Sequence, residues 1–489
     1  MNQTRCYGEL GCFSTGGAFS DIRAKRLISV LPWDRSRINT AFHLYTHRNP
    51  SKADTLMYNA VSESSLKRSN FDPALPVVAY SHGYLTFNTD EAIIKAIKDQ
   101  FIEHRNCNFF VVDWSKGSLN GYWTSTANTR IVGAEIALLL QKLIKYFNVD
   151  KSRIQLIGHS LGGQIIGYAG QRVSGLHRLV ALDPADPFFQ GGSPEIRVDP
   201  TDGDMVEAWH TDGRTFLPNP ITGLGMWDPV GHFDLYINGG ISQPTCGTLK
   251  PVRVVFSTIG ARNIYQLGRE LIACHHLYVL RLLAGVYFST PTCLPVAYQC
   301  SNYSEFLQGK CADCGEDTSR CVVVGDRGED YRRFKDSHSW PRMFFLRAHW
   351  EPPYCMHHYE LIVYLEEEEE NETVPRGGKL NVVIEDQKGR RSSGVELTFE
   401  STLVRDGHVS WLLAVPSTVS SGVATLHLRW ENSVKPLILG RGPQGPVSLF
   451  YMNVIIPSSE KPQRIRGFCG TNNTMVPYMD SKFTPCDRH

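Results

Sequence analysis

The pentapeptide Gly158-His159-Ser160-Leu161-Gly162 follows an apolar, β-branched run, Ile154–Ile157, and precedes a helix-like segment, Ile165–Gln171. A G-x-S-x-G between strand and helix is the pattern of a nucleophile elbow. The sharp turn exposes the serine hydroxyl, and glycines are needed where neighbouring backbone passes too close for a side chain. The amide of the next residue, here Leu161, can then face an oxyanion. The five residues alone also fit an ordinary glycine-rich loop; their place between a strand and a helix favours the nucleophile.

A hydroxyl is a weak nucleophile near neutral pH. It needs a base, and the base needs a group to orient it. With a chain order of serine, acid, histidine, the first strand-end carboxylate after Ser160 is Asp183, with Pro184 closing the strand behind it. Asp113 precedes the serine and is the weaker alternative. His210, His232, His275 and His276 all remain open as the base. Spacing does not choose among them, and a single histidine is more often structural.

Leu75–Ser81, Phe109–Asp113, Ile154–Ile157 and Leu179–Asp183 read as buried strands, and Glu91–Phe101 and Asn128–Phe147 as helices. Val132, Ile136, Leu139, Leu140, Leu143 and Phe147 recur at helical spacing. Strands alternating with helices predict a parallel sheet with crossover helices. Ligands then bind beyond the carboxyl ends of the strands, where His82, Asp113, Ser160 and Asp183 all sit. After about residue 340 the pattern changes to short strand-like runs, among them 358–365, 379–385, 395–399, 409–415, 423–430 and 449–456, which reads as an all-β sandwich.

The 489 residues are enough for two or three domains. Hydrophobic content of 42% against 20% charged residues indicates a globular chain. A net charge of +1 implies no global attraction to nucleic acid or an anionic membrane, and no apolar run is long enough to span a bilayer. Thirteen cysteines and sequons at Asn2, Asn302, Asn371 and Asn472 fit secretion. Met1–Cys6 carries no apolar signal region, so the expectation is a secreted chain seen without its signal, against reduced cysteines in a cytosol.

Cys6–Phe13, His82-Gly83-Tyr84, Val112-Asp113-Trp114, Gly158–Gly162, Leu182-Asp183-Pro184-Ala185, His210-Thr211-Asp212-Gly213 and Ala273-Cys274-His275-His276-Leu277 occur in that order. Together they resemble the pancreatic lipase family, closely over about residues 6–350 and by layout beyond. The resemblance implies an α/β-hydrolase catalytic domain over 1–345 and a PLAT-type β-sandwich over 350–489. It places the base two residues after the cysteine that closes a surface loop, which selects His276 for a triad of Ser160, Asp183 and His276. It implies an oxyanion hole from the Tyr84 and Leu161 amides; the family usually has Phe at position 84. It also implies hydrolysis of acylglycerol esters at lipid emulsions or micelles, with a small protein cofactor of colipase type as a candidate partner. An sn-1 phospholipase or galactolipase is the rival enzyme, and a non-catalytic lipid-binding protein is the rival of another class.

Read bottom-up, Pro194–Asp202 is a solvated turn whose two aspartates also suit a hard cation. The resemblance implies a structural, non-catalytic Ca2+ held by Asp199 and Asp202 with carbonyls of Arg197 and Pro194. The stretch 247–273 interleaves Val252, Phe256, Ile264 and Leu271 with Lys250, Arg253, Arg262 and Arg269. It fits a packed helix pair or, by resemblance, an amphipathic lid. By the same resemblance, in which phospholipase members carry shortened loops, its length and that of Arg214–Gly231 imply triacylglycerol over phospholipid. Family-like spacing suggests bridges Cys6–Cys12, Cys246–Cys274, Cys300–Cys311, Cys314–Cys321 and Cys469–Cys486, leaving Cys107, Cys293 and Cys355 unassigned. A zinc site at Cys311–Cys314 is the alternative there.

Overall fold

The computed structural model describes residues 2–21, 26, 29–86, 92–214, 223–244, 246, 273–288, 293–326, 342–365, 377–400, 408–419, 422–432, 447–456, 464–470, 474–476 and 478–486. The expected lid lies outside the described residues except for Ala273, as do 215–222 and the sequons at Asn371 and Asn472. Contacts divide the chain into two compact units.

The first unit comprises Met1–Phe288 and Gly325–Phe344. A hairpin, β1 (Thr4–Cys6) and β2 (Cys12–Ser14), opens the chain and is closed by the Cys6–Cys12 bridge. The main strands follow as β3 (Ala41–Tyr45), β4 (Asp54–Met57), β5 (Val77–Ser81), β6 (Asn108–Asp113), β7 (Ile154–His159), β8 (Arg178–Leu182), β9 (Val206–His210) and β10 (Phe233–Ile237), in the spatial order β10-β9-β8-β7-β5-β6-β3-β4. From β10 to β6 every neighbouring pair is parallel, and β3 and β4 add an antiparallel edge. Strands β5, β7, β8, β9 and β10 are buried along their whole length. This explains their near-continuous apolar runs: a parallel sheet covered on both faces has no polar side to alternate with.

The helices of this unit are α1 (Arg35–Ile38), α2 (Glu63–Lys67), α3 (Ala92–His104), α4 (Ser115–Ser118), α5 (Tyr122–Phe147), α6 (Leu161–Gly170) and α7 (Cys274–Val286). Helix α5 starts six residues before the expected Asn128, because the polar turns Tyr122–Ala127 carry no apolar periodicity. Asn148 ends it in a left-handed conformation. Helices α5 and α6 cross closely at Gly133, where a Cβ would stand 2.6 Å from Tyr168 Cβ.

The second unit comprises Ser289–Val324 and Phe345–His489. Its large sheet follows the order Val395–Glu400, Gly377–Asp386, Val423–Asn432, Asp480–Pro485, Arg464–Gly470, Val447–Ile456, Met356–Leu365, His408–Pro416. Leu380, Val382, Leu426 and Leu428 from one end of that path share a core with Leu361, Val363, Leu413 and Val415 from the other. The sheet is therefore folded over itself into two layers. The Lys388–Arg391 cluster forms a turn whose amides Lys388 and Arg390 donate to Asp386 Oδ1.

Ser289–Val324, expected in the catalytic domain, clusters with this β unit. The bridge Cys293–Cys355 ties it there, Ser410 Oγ donates to Gln308 O at 2.7 Å, and Tyr298 and Phe306 pack edge-on against His358. Six bridges form, the five expected pairs plus Cys293–Cys355, with Cys107 buried and free. Cys311 and Cys314 each sit in a disulfide, which removes the zinc alternative.

At the amino ends of the central strands, opposite the expected site, lies a buried polar network. Arg178 Nη2 donates to Glu207 Oε1 at 2.7 Å and to Gly325 O, and Arg178 Nη1 reaches the Tyr287 hydroxyl. Gln155 Nε2 donates to the same hydroxyl at 2.6 Å. Both charges are almost fully buried. Removing one would strand the other in low dielectric, which costs about 3–5 kcal/mol. Glu207→Ala should lower the unfolding free energy by that amount in denaturant titrations, and the double change Arg178→Met, Glu207→Leu should recover most of it.

Candidate active site

Ser160 sits between β7 and α6 with φ 57° and ψ −121°, a conformation outside the ordinary regions for an L-residue. Three glycines make the turn sterically possible. A Cβ on Gly158 would stand 2.0 Å from Gly162 O, one on Gly162 2.1 Å from Ser81 O, and one on Gly83 2.7 Å from Ser160 Cβ. The turn is clamped by Ser160 N donating to Leu182 O at 3.0 Å and by Ser160 O accepting from Gly163 and Ala185 amides.

Asp183 follows β8 and is fully buried. Its Oδ2 lies 2.6 Å from His276 Nδ1, and its Oδ1 accepts from the Thr211 and Asp212 amides at 2.8 and 3.1 Å. Gly225 makes room for it: a Cβ there would meet the carboxylate at 2.4 Å. His276 lies in the first turn of α7, buried, two residues after Cys274. The ring of His159, next to the serine, packs 4.7 Å from the His276 ring, and His159 Nε2 bonds His276 O at 3.0 Å. Ser160 Oγ makes no hydrogen bond with any described residue, so the acid–histidine half of the constellation is closed and the serine–histidine half is not.

The other candidates are engaged elsewhere. His210 bonds Asp234 Oδ1 and Met226 O, His232 Nδ1 accepts from Val206 N, and His275 Nδ1 accepts from Gln243 N. Asp113 accepts from Ser115 and faces His43 and His82, which hold its carboxyl well below the usual range against the cost of burial.

Among the described residues the amides of Tyr84 and Leu161 have no acceptor. The Tyr84 hydroxyl is not loose in a groove: it donates to Asn120 O at 2.7 Å, and its ring packs edge-on against Tyr122.

Asp199 and Asp202 form a reciprocal cap. Asp202 Oδ2 accepts from Asp199 N at 2.9 Å, and Asp199 Oδ1 accepts from Thr201. Arg197 Nη1 stands 3.4 Å from Asp199 Oδ2, and Pro194 O accepts from Gln171. Burial first, and the nearby Asp199 charge, push Asp202 up to about 8. Two adjacent carboxylates, one strongly desolvated and short of positive partners, are a donor set of hard oxygens that fits a cation such as Ca2+.

Asp212 is the residue the sequence reading passed over. It is buried, one of its oxygens has no partner, and a carboxylate oxygen on each of Asp183 and Asp212 and a His276 ring nitrogen all fall within 4.8 Å of one another. Burial and the Asp183 charge raise Asp212 to about 6, with His276 pulling the other way. Its position two residues beyond the end of β9 was the available signal.

A profile of the lipase family matches residues 3–354. Inactive pancreatic lipase-related protein 1 of Mus musculus is 33% identical over 349 residues, 70% of this chain and 69% of that one. Pancreatic triacylglycerol lipase of Mus musculus is 36% identical over 328 residues, 67% of each chain. The Homo sapiens protein of the same name is 34% identical over 331 residues, again 67% of each.

Because Asp212 is raised in the folded state, its protonated form favours folding. That contribution is complete below about pH 4 and is lost as pH rises through about 6. Asp212→Asn, which never ionises, should therefore melt higher than the native chain at pH 8, by about 5 °C, and match it at pH 4. Thermal unfolding at the two pH values reads this directly.

Proposed function

The chain belongs to the lipase family, and from that premise we propose that it is a lipase-type carboxylic ester hydrolase cleaving acylglycerol esters at lipid–water interfaces through an acyl-enzyme. The observation that supports this best is the buried 2.6 Å contact between His276 and Asp183 beside a serine held in a positive-φ turn. Ser160 Oγ attacks the ester carbonyl as His276 Nε2 takes its proton, a contact that tightens once substrate is bound. Asp183 holds the imidazole with Nδ1–H towards its carboxylate and stabilises the cation that forms. The Tyr84 and Leu161 amides receive the oxyanion. His276 returns the proton to the leaving alcohol, and water repeats the sequence to free the acid.

Six disulfides favour a secreted protein, and we read the folded-over β unit as PLAT-type, a candidate dock for a lipid surface or a colipase-type cofactor. Some relatives are named inactive, so family membership leaves a non-catalytic lipid-binding protein as the second reading. Ser160, Asp183 and His276 are all present here, which weighs against it.

The deciding experiment follows hydrolysis of short- and long-chain triacylglycerol and of phosphatidylcholine through the solubility limit. Triacylglycerol turnover should rise as the emulsion forms. Ser160→Ala should abolish both turnover and organophosphonate labelling, and Asp183→Asn should cut kcat by about 10^3–10^4. Faster phosphatidylcholine turnover would move the assignment to a phospholipase. No labelling of the native chain, with or without micelles, would leave the lipid-binding reading.

The Ca2+ assigned to Asp199, Asp202 and the carbonyls of Arg197 and Pro194 would supply structural charge compensation and no step of the chemistry. Chelation should lower the melting temperature of the native chain and leave that of Asp202→Asn unchanged; equal shifts in both would place the ion elsewhere.

A further inference from the structure

The oxyanion-hole donor assigned to the loop after β5 is the N–H of Tyr84, and it shares one planar peptide with the carbonyl of Gly83. In a trans peptide the two point in opposite directions, so holding the carbonyl aims the amide. A carbonyl oxygen only accepts. The 3.0 Å contact between His82 Nδ1 and Gly83 O therefore puts the proton on Nδ1. The His82 ring is itself fixed: Trp114 N donates to its Nε2 at 3.2 Å, Trp114 Nε1 donates to His82 O at 3.0 Å, and the two rings stack 5.4 Å apart.

A different segment holds the other end of this peptide unit. The Tyr84 hydroxyl donates to Asn120 O at 2.7 Å, and Leu85 N donates to Ser118 O at 3.3 Å, with Leu85 at φ 54°. Both acceptors lie at or just beyond the end of α4. Asn128 of α5 secures that segment, its Nδ2 donating to Gly117 O at 3.0 Å in a buried bond. Burial raises the Tyr84 hydroxyl above its ordinary value, so it remains a donor through the neutral range.

The pancreatic lipase family usually has Phe at this position. A phenyl ring would keep the edge-on contact with Tyr122 at 5.1 Å but not the bond to Asn120. The hydroxyl is thus a tether that the ring alone does not supply. The backbone it steadies is in contact with the nucleophile: a Cβ on Gly83 would stand 2.7 Å from Ser160 Cβ. Donors fixed before charge develops lower the barrier, whereas a peptide free to rotate must be ordered during the reaction.

We propose that the Tyr84 hydroxyl is a positioning group for the oxyanion hole: its bond to Asn120 O, with His82 holding the Gly83 carbonyl, keeps the Tyr84 N–H in place before an ester arrives. This rests on the ester-hydrolase reading above and adds a determinant of kcat outside the triad. The hydroxyl acts through the backbone and makes no contact with substrate.

The test compares the full-length native, Tyr84→Phe and Tyr122→Phe chains on a monomeric short-chain p-nitrophenyl ester. Tyr122→Phe removes a neighbouring hydroxyl, the one that reaches Pro187 O, and should keep kcat within about twofold of native. Tyr84→Phe should lower kcat about tenfold, less than the roughly 10^2–10^3 lost with a whole donor, and leave KM within about twofold. Butaneboronic acid gives a second readout: its boron bonds the Ser160 oxygen and becomes a tetrahedral anion as His276 takes the proton. Its affinity should fall in Tyr84→Phe by the same factor as kcat/KM, because both report binding of the oxyanion. Native kcat in Tyr84→Phe, an equal loss in Tyr122→Phe, or a loss of kcat with native boronate affinity would each overturn the proposal. A native chain that neither turns over the ester nor binds the boronate, with or without micelles, fails the esterase reading and this proposal with it. A native chain that does both, beside an unaltered Tyr84→Phe, fails the proposal alone.

Discussion

The close approach of backbones around Ser160 is the constraint on which the site depends. Three chain segments, the end of β5, the turn after β7 and the first turn of α6, meet at distances that exclude even a methyl group at Gly83, Gly158 and Gly162. Ser160 takes up the strain with a positive φ. The same tightness sets Leu161 as the first residue of a helix, with its amide free of the helical ladder. It also brings Asp183 into register, because Ser160 N and Ala185 N each bond across the β7–β8 seam.

The sheet divides its polar work by end. At the amino ends, Arg178, Glu207, Gln155 and Tyr287 bond one another. At the carboxyl ends, Asp183 and Asp212 are packed together at a cost that appears in the raised Asp212. The two ends differ in charge balance: the buried Arg178–Glu207 pair is matched in sign, whereas Asp183 and Asp212 are alike.

Much of this was legible in the chain. The buried strands β5, β6, β7 and β8 announced themselves as apolar runs, since a covered parallel sheet leaves no other composition available, and the G-x-S-x-G glycines encoded the elbow directly. Asp183 followed from its place at a strand end. His276 did not: four histidines satisfied the same chain order, and only the resemblance, then the 2.6 Å contact to Asp183, separated them. What local pattern carries least is contact between distant segments. Cys293–Cys355 spans 62 residues, and nothing near either cysteine marks the other. The attachment of Ser289–Val324 to the β unit and the Asp183–Asp212 neighbourhood are both products of tertiary folding.

Cys274 opens α7 and His276 lies two residues on, within the same helical turn. The bridge from Cys274 to Cys246 therefore anchors the helix that carries the imidazole. A chain that has not formed this bridge lacks the covalent tether at the start of α7, however well its sheet has assembled. The placement of the imidazole is thereby tied to the redox state of two cysteines, one of them two residues away in the chain.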